Sequence, residues 1–325
     1  MEDLLGDLRL LSIKIMSNYS IIFPGQGSQS VSMMDTYAND AIVKDTFTEA
    51  SHILKKNFWD MVTHDNSDIH LTQNTQPIML IADVCIWRIL KDSGIDKPKF
   101  IAGHSLGEFS ALVAAEVLNF EDALLIVAKR AQLMQAAVPE GVGAMAAILG
   151  LDDKTVIDLC KNIDSTEIIE PVNFNSPGQV VIAGHRAIIE KSLENFKQAG
   201  AKRAILLPVS VPSHCALMKP AAMQFESHLK TFDFHQPKLP VVHNVDCKIY
   251  SDVTQIKSAL VNQLYNPVQW TKSIEYIMQQ NVNIFVEAGP GKVLTALNKR
   301  IGKELESYST QTFEVLQQTI EVIKG

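Results

Sequence analysis

The apolar run Tyr19–Phe23 stops at Pro24-Gly25, which predicts a short strand entering a turn. From about Asp40 to Trp59, and again from Gln76 to Lys91, apolar side chains recur at helical spacing. The segment KPKFIAGHSLGEFSALVAAEVL reads as strand, tight turn and helix. Phe100–Ala102 is the strand, Gly103–Gly107 the turn, and the helix runs on through Val117. A further helix, from Glu121 to about Val138, carries Arg130.

The middle of the chain changes character. GVGAMAAILGL reads as a strand, DKTVIDLCKNI as a helix, and IIEPVNFNSPG with QVVIAG as two strands joined at Ser176-Pro177-Gly178. RAIIEKSLENFKQAG is then a helix ending at Gly200, and KRAILLPVS a strand. That order, βαββαβ, is the ferredoxin-like pattern, and it can close on itself as a subdomain over residues 138–208. A helical stretch near Ala216–Lys230, a strand at Leu239–Asn244, helices near Thr254–Gln263 and Ser273–Gln280, the strand Ile284–Glu287 and a last helix near Val293–Ile301 complete a larger α/β domain. The expected organisation is an extension over 1–15, a large discontinuous α/β domain over 16–137 and 209–325, and the inserted subdomain between them. The extension, MEDLLGDLRLLSIKI, starts acidic and has no clean apolar core before a small-residue cleavage site; a secretory signal is not expected, and a helix is.

Charge narrows the function. The formal net charge is −7 and the basic residues are scattered without a run, which argues against a nucleic-acid surface and requires a local basic site for any anionic ligand. No apolar stretch approaches the ~18 residues that cross a bilayer, so no membrane partner is expected. Cys85, Cys160, Cys215 and Cys247 form no C-x-x-C pair, which gives no support to a zinc or redox site and fits a reducing cytoplasm.

The chemistry gathers at Gly103-His104-Ser105-Leu106-Gly107. A serine at a sharp strand-to-helix turn has its hydroxyl thrust out of the sheet, and flanking glycines permit the crowded backbone. The following helix points N–H groups at the site, so that of Leu106 can stabilise an oxyanion. The competing reading is a chance match in an ordinary turn. A serine nucleophile needs a base. His214, after the β run LPVSVP, is the best placed of the histidines; His104, as the serine's neighbour, is expected to point away. Cys215 is a rival nucleophile in principle, but adjacent side chains diverge, and it reads as packing. Gly289 and Gly291 read as a structural turn rather than a phosphate cradle.

Taken together, IIFPGQGSQ, AGHSLGEFSAL, AKRAQLMQ, PVSVPSHCALM, QLYNPVQW and VEAGPGKVL occur in an order that closely resembles the malonyl-CoA:acyl-carrier-protein transacylases of bacterial fatty-acid synthesis. The chain also resembles, more distantly, the acyltransferase domains of polyketide synthases. The resemblance runs from about Met16 to Ile301 and implies a hydrolase-like core with a parallel sheet, carrying an inserted ferredoxin-like subdomain. It implies Ser105 as nucleophile and His214 as base, with Gln26 and Leu106 N–H groups as the oxyanion hole. It implies Arg130 as partner of the malonyl carboxylate, and Gln263 at the position whose main-chain carbonyl orients the histidine. Arg130 suits that role, because a guanidinium offers a planar fork to a carboxylate; the competing reading is an arginine on a solvated helix face.

The implied reaction moves malonyl from malonyl-CoA to the phosphopantetheine thiol of acyl carrier protein through a malonyl-Ser105 ester, with no metal or other cofactor. Two rivals stand beside it: a serine thioesterase or esterase with the same elbow, and a non-catalytic binding module. If only the carbonyl of Gln263 matters, Gln263→Ala is expected to change the rate modestly.

Overall fold

A computed structural model describes residues 18–64, 67–209 and 211–324. The expectations for the extension over 1–15 and for a core beginning at Met16 lie outside the described residues. In chain order the strands are β1 (Tyr19–Phe23), β2 (Phe100–Gly103), β3 (Gly143–Leu149), β4 (Ile169–Ser176), β5 (Gln179–His185), β6 (Arg203–Leu206), β7 (Val241–Val242), β8 (Ile284–Glu287) and β9 (Glu306–Ser309). The helices are α1 (Ala41–Leu54), α2 (Phe58–Thr63), α3 (Thr72–Asp92), α4 (Gly107–Ala114), α5 (Phe120–Ala136), α6 (Asp153–Asn162), α7 (Arg186–Gln198), α8 (Lys219–Leu229), α9 (Val253–Gln263), α10 (Trp270–Gln279), α11 (Val293–Ile301) and α12 (Phe313–Lys324).

The larger sheet runs β7-β2-β1-β8-β9, every neighbouring pair parallel. Its central strand β1 is buried along its whole length, as a strand covered by helices on both faces must be. The smaller sheet, β4-β5-β3-β6, is antiparallel. With α6 and α7 it has ferredoxin-like connectivity around its own apolar cluster, which includes Ile148, Val180, Ile182, Ile189 and Phe196. The fold is therefore α/β with a parallel core and a small antiparallel subdomain, as the alternation of elements predicts. The two parts are stitched directly: the Phe174 N–H donates to Val268 O at 3.0 Å, the Val268 N–H to Val172 O at 2.9 Å, and the Thr271 hydroxyl to Phe174 O at 3.1 Å.

Local chemistry sets the boundaries. Asp40, Asn119, Asp152 and Asp252 each accept an N–H of the first turn they cap, at the starts of α1, α5, α6 and α9. The stretch read as one helix over 40–59 is two. Lys55 takes a left-handed conformation (φ 54°) that ends α1, and Asn57 caps α2. The elbow helix stops at Ala114, short of Val117, because Glu116 turns left-handed at φ 59°. The strand expected over 239–244 shrinks to Val241–Val242 at the sheet edge. Beyond Ile301 the chain adds β9 and α12, which the sequence reading omits. The strand is a polar edge (ESYS) with no strand pattern, whereas α12 buries Leu316, Ile320 and Ile323 at legible helical spacing.

The turn after β8 is structural. The Glu287 carboxylate accepts the Leu294 and Thr295 N–H groups at 3.0 and 2.7 Å, capping α11. A Cβ on Gly289 would stand 2.3 Å from Asp83 Oδ1 and 2.5 Å from the Pro24 ring, so this turn packs against the first one.

Candidate active site

Ser105 sits between β2 and α4 in the left-handed region, at φ 51°. The glycines on either side are required by close approach. A Cβ on Gly103 would lie 2.0 Å from the Gly107 backbone, and one on Gly107 would lie 2.2 Å from Phe23 O. The turn is thus wedged against the end of β1, and the serine hydroxyl is pushed out of the sheet. A Cβ on Gly25 would come within 2.3 Å of His104 O and 3.6 Å of Leu106 N, so the loop carrying Gln26 lies against the elbow. The Gln26 carboxamide donates to Thr72 Oγ1 at 3.3 Å. Leu106 is the N-cap residue of α4 and is buried.

His214 Nε2 lies 2.8 Å from Ser105 Oγ. Its backbone is also left-handed, at φ 68°. The ring Nδ1 stands 2.6 Å from Gln263 O, and the His214 backbone N–H donates to Leu264 O at 3.0 Å. Both acceptors lie at the C-terminal end of α9, where carbonyls lack helical partners and carry the negative end of the helix dipole. That explains how a main-chain carbonyl can orient the imidazole where other serine enzymes use an acid. Burial, then the Arg130 charge, push the His214 pKa down to about 3; the Gln263 carbonyl opposes them, and His104 adds a still smaller lowering. His214 is therefore neutral at physiological pH and has a free lone pair for the serine proton. His104 turns away, as expected: its Nε2 meets Asn175 Oδ1 of the small subdomain at 2.8 Å, and burial lowers its pKa. Cys215 is fully buried, its thiol directed at Pro212 O, and burial pushes it up to about 12.

Arg130 is only 1% exposed, so it is not a residue of a solvated helix face. Its Nη1 donates to Gln76 Oε1 at 2.6 Å, and its Nη2 to Gln263 Oε1 at 2.9 Å and to Ser105 Oγ at 3.3 Å. The guanidinium lies 5.5 Å from the Phe109 ring centroid. Burial lowers its pKa to about 10, with Glu108 acting in the other direction, and it stays cationic at neutral pH. A buried cation among neutral amides, beside a serine hydroxyl, is an arrangement able to receive an anionic group next to that hydroxyl.

The structure also shows residues that sequence reasoning missed. Asn244 accepts the Ser105 N–H at 2.7 Å and donates to Gly103 O at 2.6 Å, clamping the elbow. Glu108 is fully buried; its carboxylate accepts from Gln263 Nε2 at 2.8 Å and the Asn244 N–H at 3.1 Å, and faces His243 Nδ1 at 2.7 Å. Gln263 Nε2 donates to Ser105 O as well, at 2.9 Å. The signal for Glu108 was its place in the first turn after the elbow; Asn244 and Gln76 carried none.

A cleft of about 550 Å³ opens between the two sheets' domains, lined by Gln26, Thr72 and Gln135 on one side and by Arg186, Leu207 and Val209 on the other. Among the described residues, no group of three or more His, Cys, Asp or Glu side chains could hold a metal ion, and no helix is long and apolar enough to cross a membrane.

A serine on a strand-to-helix elbow, a carbonyl-oriented histidine and a buried cation beside them define an acyl-group-handling enzyme of the serine type. The acyl transferase domain family matches residues 20–318, nearly the whole described chain, and the chain belongs to that family. It is 52% identical to the malonyl CoA-acyl carrier protein transacylase of Salmonella typhimurium, over 88% of this chain and 93% of that one. The structure is similar to an acyl carrier protein S-malonyltransferase from Vibrio cholerae, with a TM-score of 0.91, 48% identity and coverage of 93% of this chain and 100% of that one. It is also similar to a malonyl-transacylase in complex with a type II PKS acyl-carrier protein, with a TM-score of 0.92, 47% identity and coverage of 94% and 99%.

Proposed function

We propose that this acyltransferase carries malonyl from malonyl-CoA to the phosphopantetheine thiol of acyl carrier protein, supplying fatty-acid elongation, with Ser105 as the acyl carrier. The observation that carries this reading is the 2.8 Å contact of His214 Nε2 with Ser105 Oγ beside the buried Arg130 fork. The relatives' names supply the substrates; the site supplies a place for each reacting group.

His214 takes the Ser105 proton as Oγ attacks the thioester carbonyl. The oxyanion is held by the N–H groups of Gln26 and Leu106, which the packing of Gly25 on the elbow supports. The C–S bond breaks, and the coenzyme A thiolate leaves with the proton from His214. In the second half, His214 takes the carrier-protein thiol's proton, the sulfur attacks the malonyl-serine ester, and Ser105 Oγ regains the proton. Arg130 holds the malonyl carboxylate in both halves. Every bond and proton balances without a cofactor. The four cysteines are free thiols, which supports a reducing compartment, and we place the reaction in the cytoplasm.

Intact-mass measurement after incubation with malonyl-CoA tests this. A stable malonyl adduct that is absent in Ser105→Ala and discharged by holo acyl carrier protein is expected. Steady release of free malonate without the carrier protein would make the chain a hydrolase instead, and an adduct surviving in Ser105→Ala would move the nucleophile elsewhere.

A further inference from the structure

Arg130 poses a physical problem that the transfer mechanism leaves open. A guanidinium 1% exposed needs a counter-charge, because an unpaired buried ion costs several kcal/mol. Yet a carboxylate bonded directly to it would compete with the substrate's own carboxylate. Its side-chain acceptors are all neutral: Gln76 Oε1, Gln263 Oε1 and Ser105 Oγ.

A carboxylate lies one amide further on. Gln263 accepts from Arg130 through Oε1 at 2.9 Å, and donates through Nε2 to Glu108 Oε2 at 2.8 Å. A carboxamide polarised between a cation and an anion strengthens both bonds. The same carboxylate fixes two more parts of the site. It holds the Asn244 N–H at 3.1 Å, and Asn244 Oδ1 holds the Ser105 N–H at 2.7 Å. It anchors the Gln263 side chain, whose backbone carbonyl sets the His214 ring. His243, at 2.7 Å from Glu108 Oε1, closes the far side.

We propose that Glu108 is a positioning residue for acyl transfer. It supplies the counter-charge of Arg130 through the Gln263 carboxamide, so that the guanidinium stays charged yet open to the malonyl carboxylate. This rests on the functional reading above.

Kinetics with malonyl-CoA and acetyl-CoA test it. Glu108→Gln keeps the shape and removes the charge. Its kcat/KM for malonyl-CoA is expected to fall about 10²-fold and that for acetyl-CoA less than tenfold, so the malonyl preference drops at least tenfold. In an Arg130→Ala background the same substitution is expected to affect both substrates alike, since the selective part acts through Arg130. Glu108→Asp, one methylene short but charged, restores part of the preference. Equal loss for both substrates in Glu108→Gln, or a selective loss that persists without Arg130, overturns the proposal and leaves Glu108 a structural residue.

If Glu108→Gln does not fold, Gln76→Glu decides. It puts a carboxylate on Arg130 Nη1, where Gln76 Oε1 now stands at 2.6 Å, and is expected to lower kcat/KM for malonyl-CoA far more than for acetyl-CoA, which abolishes the malonyl preference. An intact preference there would mean that a direct partner is harmless and would overturn the reason for an indirect one. Failure of the wild-type chain to take up malonyl at all is a different result: it removes the functional reading and this proposal with it.

Discussion

Replacing Gln263 by alanine separates two roles that one residue performs. The main-chain carbonyl that orients His214 survives the substitution; the carboxamide does not. From the sequence, a modest effect is expected, because only the carbonyl enters that reading. The structure gives reason to expect a larger one. The lost carboxamide accepts from Arg130 at 2.9 Å and donates to Ser105 O at 2.9 Å and to Glu108 at 2.8 Å, in a fully buried setting. Two of those bonds involve charged partners and are worth roughly 1.5–3 kcal/mol each. Loss of one with the other repaired by water costs about 1.5 kcal/mol, and loss of both about 6. At 1.36 kcal/mol per factor of ten this spans roughly 10- to 10⁴-fold. The expected fall in kcat/KM for malonyl transfer is about 10²- to 10³-fold, larger than for acetyl transfer because Arg130 loses its bridge to Glu108. Rapid-quench measurement of Ser105 acylation, beside a melting curve to show that the variant folds, reads this directly. A Gln263→Ala enzyme within threefold of wild type would refute the reasoning and leave the carbonyl as the residue's whole contribution.

Arg130→Ala is expected to reduce the malonyl-to-acetyl ratio of specificity constants by about 10²- to 10⁴-fold, from two charged hydrogen bonds at roughly 1.5–3 kcal/mol each, with Arg130→Lys recovering only part because an ammonium has no fork; an unchanged ratio would place selectivity elsewhere. Because burial and Arg130 hold His214 down near a pKa of about 3, kcat/KM is expected to show no acid limb near pH 6.5, and Arg130→Ala, by removing one depressing charge, should shift the acid limb upward. Stability follows the same shift: between about 6.5 and 3 the unfolded chain binds the proton that folded His214 refuses, so stability falls as pH drops through that window. Chemical denaturation at pH 7 and 5 should show the decline, and show it smaller in His214→Ala.

What the sequence revealed and what it concealed divide along a physical line. The elbow was legible because its geometry demands particular residues: Gly103 and Gly107 sit where any Cβ would collide with backbone. The ferredoxin-like subdomain was legible because its strands and helices alternate locally and bury their own cluster. The Asn244 clamp was not legible. It reaches the Ser105 N–H across 139 residues, and asparagine is common in turns. Glu108 was hidden for a different reason. An acid in a first helical turn has an ordinary local explanation in the dipole, and only the packed structure shows it sealed from water with three partners. The omission of α12 is of another kind, since Leu316, Ile320 and Ile323 carry the helical period openly.

Both residues of the Ser105–His214 pair adopt left-handed backbone, at φ 51° and 68°, and this predicts where the site opposes stability. A side chain with a Cβ costs about 1–2 kcal/mol in that region, which glycine avoids. Elsewhere glycine lowers stability relative to alanine by roughly 0.4–1 kcal/mol, through the greater freedom of the unfolded chain. Both Ser105→Ala and Ser105→Gly remove the hydroxyl, so they share every loss at Oγ and differ only in the β-carbon. If the conformation is strained, relief offsets or exceeds the entropic cost, and Ser105→Gly is at least as stable as Ser105→Ala. His214→Gly against His214→Ala gives the same comparison on the opposite loop. Denaturant midpoints for the four variants measure it. A glycine variant less stable than its alanine counterpart by about 1 kcal/mol at both positions would show that the backbone rests there without strain. The opposite ordering would mean that aiming the hydroxyl and the imidazole at each other is achieved against local backbone preference, with the Asn244 clamp and the α9 carbonyls holding both turns in place.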